Sequence, residues 1–411
     1  MSPVAESPGA IAEEPVVNPP PRAAYIHIPF CRRRCFYCDF PIAVAGDLAR
    51  GETSPRMQTY VDALAREIRI TPVLGAPLTT VFLGGGTPSL LSAAQVAQVL
   101  TALADRFGLA PQAEISMEMD PGTFTREGLQ ALVNLGINRV SLGVQSFDDE
   151  QLAACGRTHR VADVRQAIAD LQAAHIPTWS LDLISGLPHQ TLETWQRALS
   201  EAIALAPPHL SIYDLTVEPQ TVFYRRYRPG ESPLPSDEQT SDMYRLAQAQ
   251  LTQAGYHHYE VSNYAQPGHQ CQHNRVYWQN QPFYGFGMGA ASYTQGQRFQ
   301  RPRSTSSYYD WLDTYVQTET LAVPPVTLSD RWLDRLMMGL RLAEGLQPED
   351  LIREFGPERV AQLQQCLQPY RHQGWLAPTP DPTSPIRFTD PEGFLFSNVV
   401  LVKLFETFDD P

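Results

Sequence analysis

Three cysteines stand within eight residues near the start of the chain, at Cys31, Cys35 and Cys38. Cysteine thiolates are the usual ligands of iron–sulfur clusters. Three thiolates from one short loop can bind three irons of a [4Fe-4S] cube and leave the fourth iron open to an external ligand. The spacing therefore predicts a cluster with one exchangeable iron.

Structural zinc, a disulfide and chance clustering are the alternatives for this cysteine loop. Structural zinc takes four ligands, so a zinc site would have to recruit His27, Cys271 or His273. A disulfide would leave the third thiol alone. The remaining cysteines are scattered singly, at Cys155, Cys271 and Cys366, which argues against chance. We favour the cluster.

From residue 24 onward, short β-branched runs alternate with segments of helical periodicity. The six strand candidates cover residues 24–28, 79–83, 114–119, 138–143, 178–184 and 209–215. Apolar residues recur at three- and four-residue spacing in the intervening segments, at 57–70, 93–107, 126–135, 161–174 and 192–205. This alternation predicts an α/β fold with a parallel sheet and right-handed crossovers.

Polar and glycine-rich motifs fall where the predicted strands end. The cysteine loop follows the first strand, and the next four strands are followed by the motifs at 84–88, 118–121, 143–146 and 185–188. Ligands bind at this C-terminal edge in parallel β/α folds. A barrel brings all five loops to one site, whereas an open sheet brings together only those at its switch point, so we predict a barrel.

Two carboxylates in these motifs are candidate ligand-binding groups. Glu118 can bind an ammonium group, although a surface or capping carboxylate is the simpler interpretation. Asp182 interrupts an apolar strand and needs either a structural partner or a ligand hydroxyl. The glycine run at 84–86 is typical of a tight turn, and beside a cluster it also lets a small polar ligand approach the backbone.

Length and charge limit the classes of function. A chain of 411 residues is expected to form two or three domains. The formal net charge of -13 argues against a nucleic-acid partner and against anionic membranes. No stretch is apolar enough to span a bilayer and no secretory signal is present, which predicts a cytoplasmic protein and leaves peripheral membrane contact open. A reducing compartment suits cluster thiolates.

The chain divides into four predicted segments. Residues 1–22 contain six prolines and no apolar run, which predicts a disordered tail. Residues 23–235 form the barrel, 236–328 a middle region with a helix at 239–253 and a strand at 256–264, and 329–411 a smaller, mostly helical, winged-helix-like C-terminal domain. Helices are expected at 332–342 and 358–367, and a strand-like segment at 386–388. The Gly-Phe-Gly-Met-Gly-Ala run at 285–290 lacks the dinucleotide-binding spacing and predicts a close-packed turn.

Several motifs together carry a family resemblance. The segment Tyr-Ile-His-Ile-Pro-Phe-Cys at 25–31, the cysteine spacing, the glycine run, Gly-Val-Gln-Ser-Phe at 143–147 and Asp-Leu-Ile-Ser-Gly-Leu-Pro at 182–188 resemble the radical S-adenosylmethionine (SAM) superfamily. Within it they resemble the branch that contains oxygen-independent coproporphyrinogen III oxidase and the haem chaperones. The likeness runs from about residue 24 to the C-terminus.

The resemblance implies a partial (β/α)6 barrel and a set of residue roles. The three cysteines would hold the cube, and the methionine end of SAM would chelate the open iron. Three residues match positions that contact this first cofactor molecule: Tyr25, Gly85 and Glu118. In the oxidase a second SAM molecule is contacted by residues that match Tyr37, Gly86, Thr87, Gln145, Arg157 and Asp182.

Two features favour the haem chaperones within that branch. The oxidase has a fourth cysteine two residues beyond the third, where this chain has Phe40. The run His-Asn-Arg-Val-Tyr-Trp at 273–278 resembles the His-Asn-x-x-Tyr-Trp signature of the chaperone group. We therefore expect a protein that binds haem and transfers it to client proteins, with the oxidase activity as the alternative.

The haem ligand and the electron donor are further expectations. His273 is the first candidate for the haem iron, and the plainer interpretation makes it a hydrogen-bonded loop residue beside packed aromatics. Other candidates are His257, His258, His269 and Cys271. A low-potential donor such as flavodoxin or ferredoxin would reduce the cluster. The arginines at 32–34 are candidates for docking that donor, for plain solvation or for tuning the cluster.

Overall fold

The computed structural model describes residues 19–409 except 322, 324 and 325. Most of the predicted tail, residues 1–18, lies outside the described residues. Residues 19–22 lead directly into the first strand, and the carbonyl oxygen of Arg22 accepts a hydrogen bond from the backbone N–H of Thr79 at 2.7 Å.

The strands belong to one large sheet and two small ones. The described strands are β1 Ala23–Ile28, β2 Phe30–Cys31, β3 Ala43–Val44, β4 Leu78–Gly85, β5 Leu109–Met119, β6 Arg139–Gln145, β7 Thr178–Ser185, β8 His209–Asp214, β9 His257–Glu260, β10 Asn263–Ala265, β11 Tyr284–Phe286, β12 Ala291–Thr294 and β13 Gln297–Gln300. The large sheet has the order β11-β1-β4-β5-β6-β7-β8-β10-β9, while β2 pairs with β3 and β12 with β13.

Helices connect the strands and form the C-terminal part. The described helices are α1 Pro55–Ile70, α2 Ala93–Phe107, α3 Arg126–Asn134, α4 Asp149–Ala154, α5 Val161–Ala173, α6 Leu192–Ala204, α7 Val222–Arg226, α8 Asp237–Gln253, α9 Gln272–Trp278, α10 Thr305–Thr318, α11 Leu328–Gly339, α12 Pro348–Phe355, α13 Pro357–His372, α14 Glu392–Leu395 and α15 Ser397–Phe408. Short 3-10 turns occur at Gly51–Thr53 and Pro88–Leu90.

The six predicted strand and helix units are confirmed. Strands β1, β4, β5, β6, β7 and β8 are parallel neighbours, and helices cross between them to form a partial barrel. Helix α2 shows how the sequence sets these boundaries. Ser92 and Gln95 form a capping box at its N-terminus, and Gly108, at φ 74°, ends it. Its buried face, which includes Val96 and Leu103, packs on the sheet.

The structure differs from the predicted pattern at both edges of the sheet. The strand predicted at 256–264 is wrong, because a turn after Glu260 splits it into the antiparallel strands β9 and β10. β10 also pairs antiparallel with β8. At the other edge β11, which the periodicity did not reveal, pairs parallel with β1. The segment predicted as strand-like at 386–388 forms two isolated bridges, Leu346 to Ile386 and Leu376 to Phe388.

Two apolar cores are present in the described chain. The larger lies between the sheet and its helices, and the second lies mainly among α11 to α15 around Trp332 and Phe394. His258 and Asp390 connect the sheet edge to the second core, with Nδ1 and Oδ1 2.8 Å apart. The limits at residues 235 and 328 remain a proposal, since Tyr244 of α8 belongs to the second core.

None of the described helices combines the length and the apolar character that a bilayer crossing requires.

A buried ion pair joins α1 to the region after β11. Oε1 of Glu67 accepts from Nε of Arg301 at 2.6 Å, and both side chains are at most 2% exposed. Oε2 of Glu67 accepts from the backbone N–H of Gly287 at 2.9 Å and from the hydroxyl of Tyr308 at 2.7 Å. The carboxylate therefore holds the glycine-rich turn predicted at 285–290 against the barrel.

Replacing Arg301 by Met is expected to destabilise the fold strongly. The change leaves the Glu67 carboxylate buried without its cation, a loss of about 3–5 kcal/mol. Urea unfolding followed by circular dichroism measures the free energy of unfolding. Arg66→Met is the matched control, because the Arg66 pair with Asp313 is exposed and is worth roughly 0–1 kcal/mol. Equal losses in the two variants would contradict this account of the Glu67 network.

Candidate cofactor site

Backbone hydrogen bonds fix the cysteine loop between the barrel strands. The carbonyl oxygen of Cys31 accepts from the N–H of Ala45 at 2.8 Å, as β2 pairs with β3. The N–H of Phe36 donates to the carbonyl oxygen of Cys155 at 2.9 Å. Arg34 donates to the carbonyl oxygen of Cys38 at 3.1 Å. Protein contacts thus hold the loop at several points along its length.

The three cysteines line one cavity of about 390 Å³ at the C-terminal edge of the strands. Volumes of this order are usual for small-molecule sites. The cavity brings together the cysteines and eight of the nine predicted SAM contacts, namely Tyr37, Gly85, Gly86, Thr87, Glu118, Gln145, Arg157 and Asp182. The ninth, Tyr25, is not in the lining: its hydroxyl lies 3.0 Å from Nδ1 of His27, and its ring stacks on Phe82.

The glycine run is dictated by packing at the end of β4. Gly85 has φ 114°, and a Cβ atom there would collide with the ring of His27. A Cβ atom on Gly86 would meet the carbonyl groups of Pro29 and Phe30. The N–H of Gly85 donates a hydrogen bond to Oε2 of Glu118 at 2.8 Å. This backbone group is therefore not available to a ligand, although the sequence suggested that it would be.

Glu118 is a half-buried carboxylate in the lining of the cavity, and its pKa is shifted. Burial raises its pKa to about 7, and the nearby carboxylates of Asp182 and Asp120 also raise it, while the hydrogen bond from Gly85 lowers it. A bound ammonium group would favour the ionised form. The arrangement therefore suits the amino group of an amino-acid ligand.

Asp182 combines both roles that the sequence left open. Its carboxylate lines the cavity, and it accepts hydrogen bonds from the hydroxyls of Ser141, at 2.8 and 3.0 Å, and of Ser180, at 3.1 Å. Burial nevertheless raises its pKa, and the serine hydroxyls act in the opposite direction. The serines orient the carboxylate and leave it accessible from the cavity.

Gln145 carries backbone strain at the end of β6. Its φ of 67° lies in the left-handed region that non-glycine residues rarely occupy. The pairing of β6 with β7 shifts register between Leu142 and Gln145. Such strain is concentrated at functional sites, and here the irregular strand end places Gln145 in the cavity lining.

The residues that a zinc site would recruit lie elsewhere. The Nδ1 of His27 contacts the hydroxyl of Tyr25, and its Nε2 lies 2.9 Å from the carbonyl oxygen of Pro41. Cys271 and His273 lie by the N-terminal halves of the strands, at the opposite end of the barrel. Cys271 is 2% exposed, and its Sγ lies 3.7 Å from Oε1 of Glu114. The three cysteines of the loop thus fit a cluster better than zinc.

The His-Asn-Arg-Val-Tyr-Trp run forms α9 and closes the floor of the barrel. The Glu114 carboxylate of β5 accepts from the N–H groups of Gln272 and His273 at 3.1 and 3.0 Å. Just before this helix, the carbonyl oxygen of His269 accepts from Arg139 of β6 at 3.1 Å. Inward-facing polar residues of neighbouring strands therefore bind the motif at the end remote from the cysteines.

The structure places His273, the first candidate for the haem iron, in a buried position. Its side chain is completely buried, its Nδ1 lies 2.8 Å from the hydroxyl of Thr80, and its Nε2 lies 2.8 Å from the hydroxyl of Tyr277. An axial ligand needs an accessible ring nitrogen, and His273 presents none in this conformation. These contacts are those of the plainer interpretation, with the residue in a helix rather than a loop, and ligation of haem by His273 stays a prediction.

The other candidate haem ligands do not converge. His257 is exposed and His258 is buried, as expected for neighbours in a strand. His258 stacks on Tyr264 with ring centroids 4.0 Å apart and pairs with Asp390. The Nδ1 of His269 contacts the hydroxyl of Thr178 at 2.9 Å.

Several cavity residues escaped the sequence reasoning. Asp120 accepts from the hydroxyl of Thr87 at 3.0 Å and faces the cavity. Tyr213 and Asp214 also line it, because β8 ends at the same edge as the other parallel strands. The strand pattern at 209–215 was a signal for this pair, since its loop is equivalent to the five that were recognised.

The comparisons with known proteins agree with this geometry. Residues 25–202 match the model of the Radical SAM superfamily. The haem chaperone HemW of Synechocystis sp. PCC 6803 is 47% identical over 405 residues, which cover 95% of this chain and 98% of the relative. The chain belongs to the HemW family of radical SAM proteins. HemW of Bacillus subtilis is 34% identical over 82% of this chain and 87% of its own length.

A solved structure shares the fold over nearly the whole HemW-family chain. Coproporphyrinogen III oxidase (HemN) of Escherichia coli superposes with a TM-score of 0.78 at 24% identity, covering 94% of this chain and 90% of the oxidase. At that identity the likeness establishes the fold alone. It confirms the predicted radical SAM barrel with a helical C-terminal region.

The radical SAM family implies a [4Fe-4S] cluster and SAM, and the donor set of this HemW-family chain fits both. Three thiols face one cavity, and burial raises the pKa of the Cys31 thiol to about 12 and that of Cys38 above its usual value. Thiolates in such surroundings need a cationic partner, which irons supply. Glu118, Asp182 and the strand-end loops supply polar partners for an amino-acid cofactor.

Glu118→Gln is expected to make the free energy of unfolding less dependent on pH. Because the folded-state pKa of about 7 exceeds the unfolded value, the folded protein binds the extra proton between about pH 4.5 and 7. The stability of the native chain should therefore fall as pH rises through that window, by at most about 1.4 kcal/mol per pH unit. Urea unfolding of cluster-free protein at pH 5 to 8 measures the free energy of unfolding of the wild type and of Glu118→Gln. If the two proteins show the same dependence on pH, the raised pKa of Glu118 is refuted.

His273→Ala should lower the free energy of unfolding by roughly 2–4 kcal/mol, because it opens a cavity and leaves the hydroxyls of Thr80 and Tyr277 unpaired. Thermal and urea unfolding measure the loss, with the exposed His257→Ala as control. Haem titration of the folded fraction tests the ligand role separately. Loss of haem affinity with unchanged stability would return His273 to the list of ligands.

Proposed function

We propose that this protein is a haem chaperone that binds haem and transfers it to client proteins, using a [4Fe-4S] cluster and SAM. The observation that carries the proposal is the 47% identity to a curated haem chaperone over 95% of this chain and 98% of the relative. An alignment of that extent includes the barrel, the floor motif and the C-terminal helices.

The cavity supports a division of roles among the residues at the mouth of the barrel. Cys31, Cys35 and Cys38 would hold the cluster, and Glu118 would bind the amino group of SAM. When bound and reduced, the cluster supplies an electron that opens a carbon–sulfur bond of SAM. The protein's own contribution is to fix the thiols, to place Asp182 within the cavity and to keep the site partly shielded from water.

Phe40 favours the chaperone over oxygen-independent coproporphyrinogen III oxidase. It occupies the position of the oxidase's fourth cysteine, and it lines the cavity while remaining 54% exposed. The phenyl ring supplies no thiolate there. The oxidase activity, oxidative decarboxylation of the porphyrinogen, remains the second candidate because both activities would use the same cofactor site.

The exposed surface of the cysteine loop suits a low-potential donor such as flavodoxin or ferredoxin. Arg33 is exposed, and its ion pair with Asp47 lies at the surface, where an acidic partner can compete with Asp47 for the guanidinium. Arg34 instead stabilises the loop through the carbonyl oxygens of Cys38 and Phe40.

All six cysteines are free thiols, which supports work in a reducing, cytoplasmic environment.

Anaerobic reconstitution followed by a paired assay tests the proposal. The reconstituted protein is offered haem in one arm and coproporphyrinogen III with SAM and reductant in the other. We expect retained haem, haem transfer to an apo-haemoprotein and no protoporphyrinogen IX. Failure to retain haem would eliminate the chaperone function, and product formation would favour the oxidase.

Metal analysis of the same samples tests the cluster. We expect about four irons and four sulfides per chain, as the [4Fe-4S] composition requires. Cys35→Ala should lose most of them, whereas Cys366→Ala, outside the loop, should keep them. A stoichiometric amount of zinc without sulfide would contradict the cluster and indicate a structural zinc site instead.

A further inference from the structure

Arg157 connects one cluster cysteine to the ends of two strands. It follows α4, and its side chain is only 9% exposed. Nη1 donates to Sγ of Cys35 at 3.5 Å. Nη2 donates to the carbonyl oxygen of Gly143 at 3.0 Å and to the carboxylate of Asp120. A single guanidinium therefore spans the cysteine loop, β6 and the loop after β5.

The three cysteine thiols have different partners. The Thr87 hydroxyl, which donates to Asp120 at 3.0 Å, and the backbone N–H of Phe40 partly offset the rise in pKa that burial causes at Cys31 and Cys38. Among the described residues, Arg157 is the cation that donates to a thiol of the loop. Arg33 and Arg34 make hydrogen bonds to Asp47 and to backbone carbonyl oxygens instead. The largely buried guanidinium of Arg157 thus places a positive charge next to the Cys35 thiol.

A charged donor on a cluster thiolate has a defined redox effect. Hydrogen bonds to the sulfurs and the surrounding charge set the reduction potential of an iron–sulfur cluster. The reduced cluster carries one more negative charge than the oxidised cluster, so a cation stabilises it more. Guanidinium is always protonated, and its planar fork serves two acceptors together. The Asp120 carboxylate offsets part of the positive charge of Arg157 and fixes the orientation of its guanidinium.

We propose that Arg157 is a positioning residue that binds the Cys35 thiolate and raises the reduction potential of the cluster. This role rests on the proposed assignment of Cys31, Cys35 and Cys38 as cluster ligands and is independent of the cargo. It is distinct from the contact with a second SAM molecule that the family resemblance implies, since these hydrogen bonds use three of the five N–H groups of the guanidinium.

A redox titration of the reconstituted full-length protein without SAM tests the proposal. At the potential where half of the wild-type cluster is reduced, Arg157→Met should lower the ratio of reduced to oxidised cluster about tenfold. For a one-electron couple that ratio corresponds to about 59 mV. Arg157→Lys, which keeps the charge and loses the fork, should lower it by less. Electron paramagnetic resonance measures the reduced fraction, normalised to iron and sulfide content.

Arg33→Met is the matched control, since it removes a cation from the same loop that donates to no thiol. Its ratio should stay within about twofold of the wild type, and a fall equal to that of Arg157→Met would overturn the specific role of Arg157. An unchanged ratio in Arg157→Met with full iron content would also overturn it. Should Arg157→Met assemble no cluster, Arg157→Gln, which removes the charge and keeps a hydrogen-bond donor, decides: a fall in the ratio supports the proposal and an unchanged ratio overturns it. Haem retention of the same samples reports separately on the chaperone proposal.

Discussion

The interior of the barrel is polar, and that constraint shapes the rest of the molecule. Every buried hydrogen-bonding group needs a partner, and the inward faces of the strands carry such residues from end to end. At the floor, Glu114 and Arg139 bind the segment around α9. Near the mouth, Ser141 and Ser180 bind Asp182. The segment around α9 therefore fills one end of the barrel, and the polar groups at the other end remain available to a ligand.

This arrangement separates the two sequence signatures in space. The cysteine loop lies at the C-terminal edge, and the His-Asn-Arg-Val-Tyr-Trp run lies beneath the opposite ends of the strands. The second signature carried the predicted resemblance to the chaperone group, yet its histidine is buried between Thr80 and Tyr277. A motif that marks a function need not contact the ligand, because it can instead define the scaffold on which that function depends.

The six barrel units could be predicted because they follow from local periodicity, and the polar motifs at the strand ends located the cavity, whereas the individual SAM contacts were implied by the family resemblance. Strand ends in a parallel array share one edge, so the types of residue after each strand locate the site. Contacts between distant segments are not encoded locally. The pairing of β11 with β1, the Gly85 bond to Glu118 and the burial of His273 all depend on tertiary packing, and no pattern within their own segments reveals them.

The cysteine loop is fastened to the barrel at several points besides its thiols. Phe36 alone exchanges backbone hydrogen bonds with Cys155 and with Phe223, both 2.9 Å long. Consequently little chain entropy is left to lose when iron and sulfide enter. Cluster assembly would therefore require little rearrangement of the backbone, and the loop offers few mobile backbone segments to a protease.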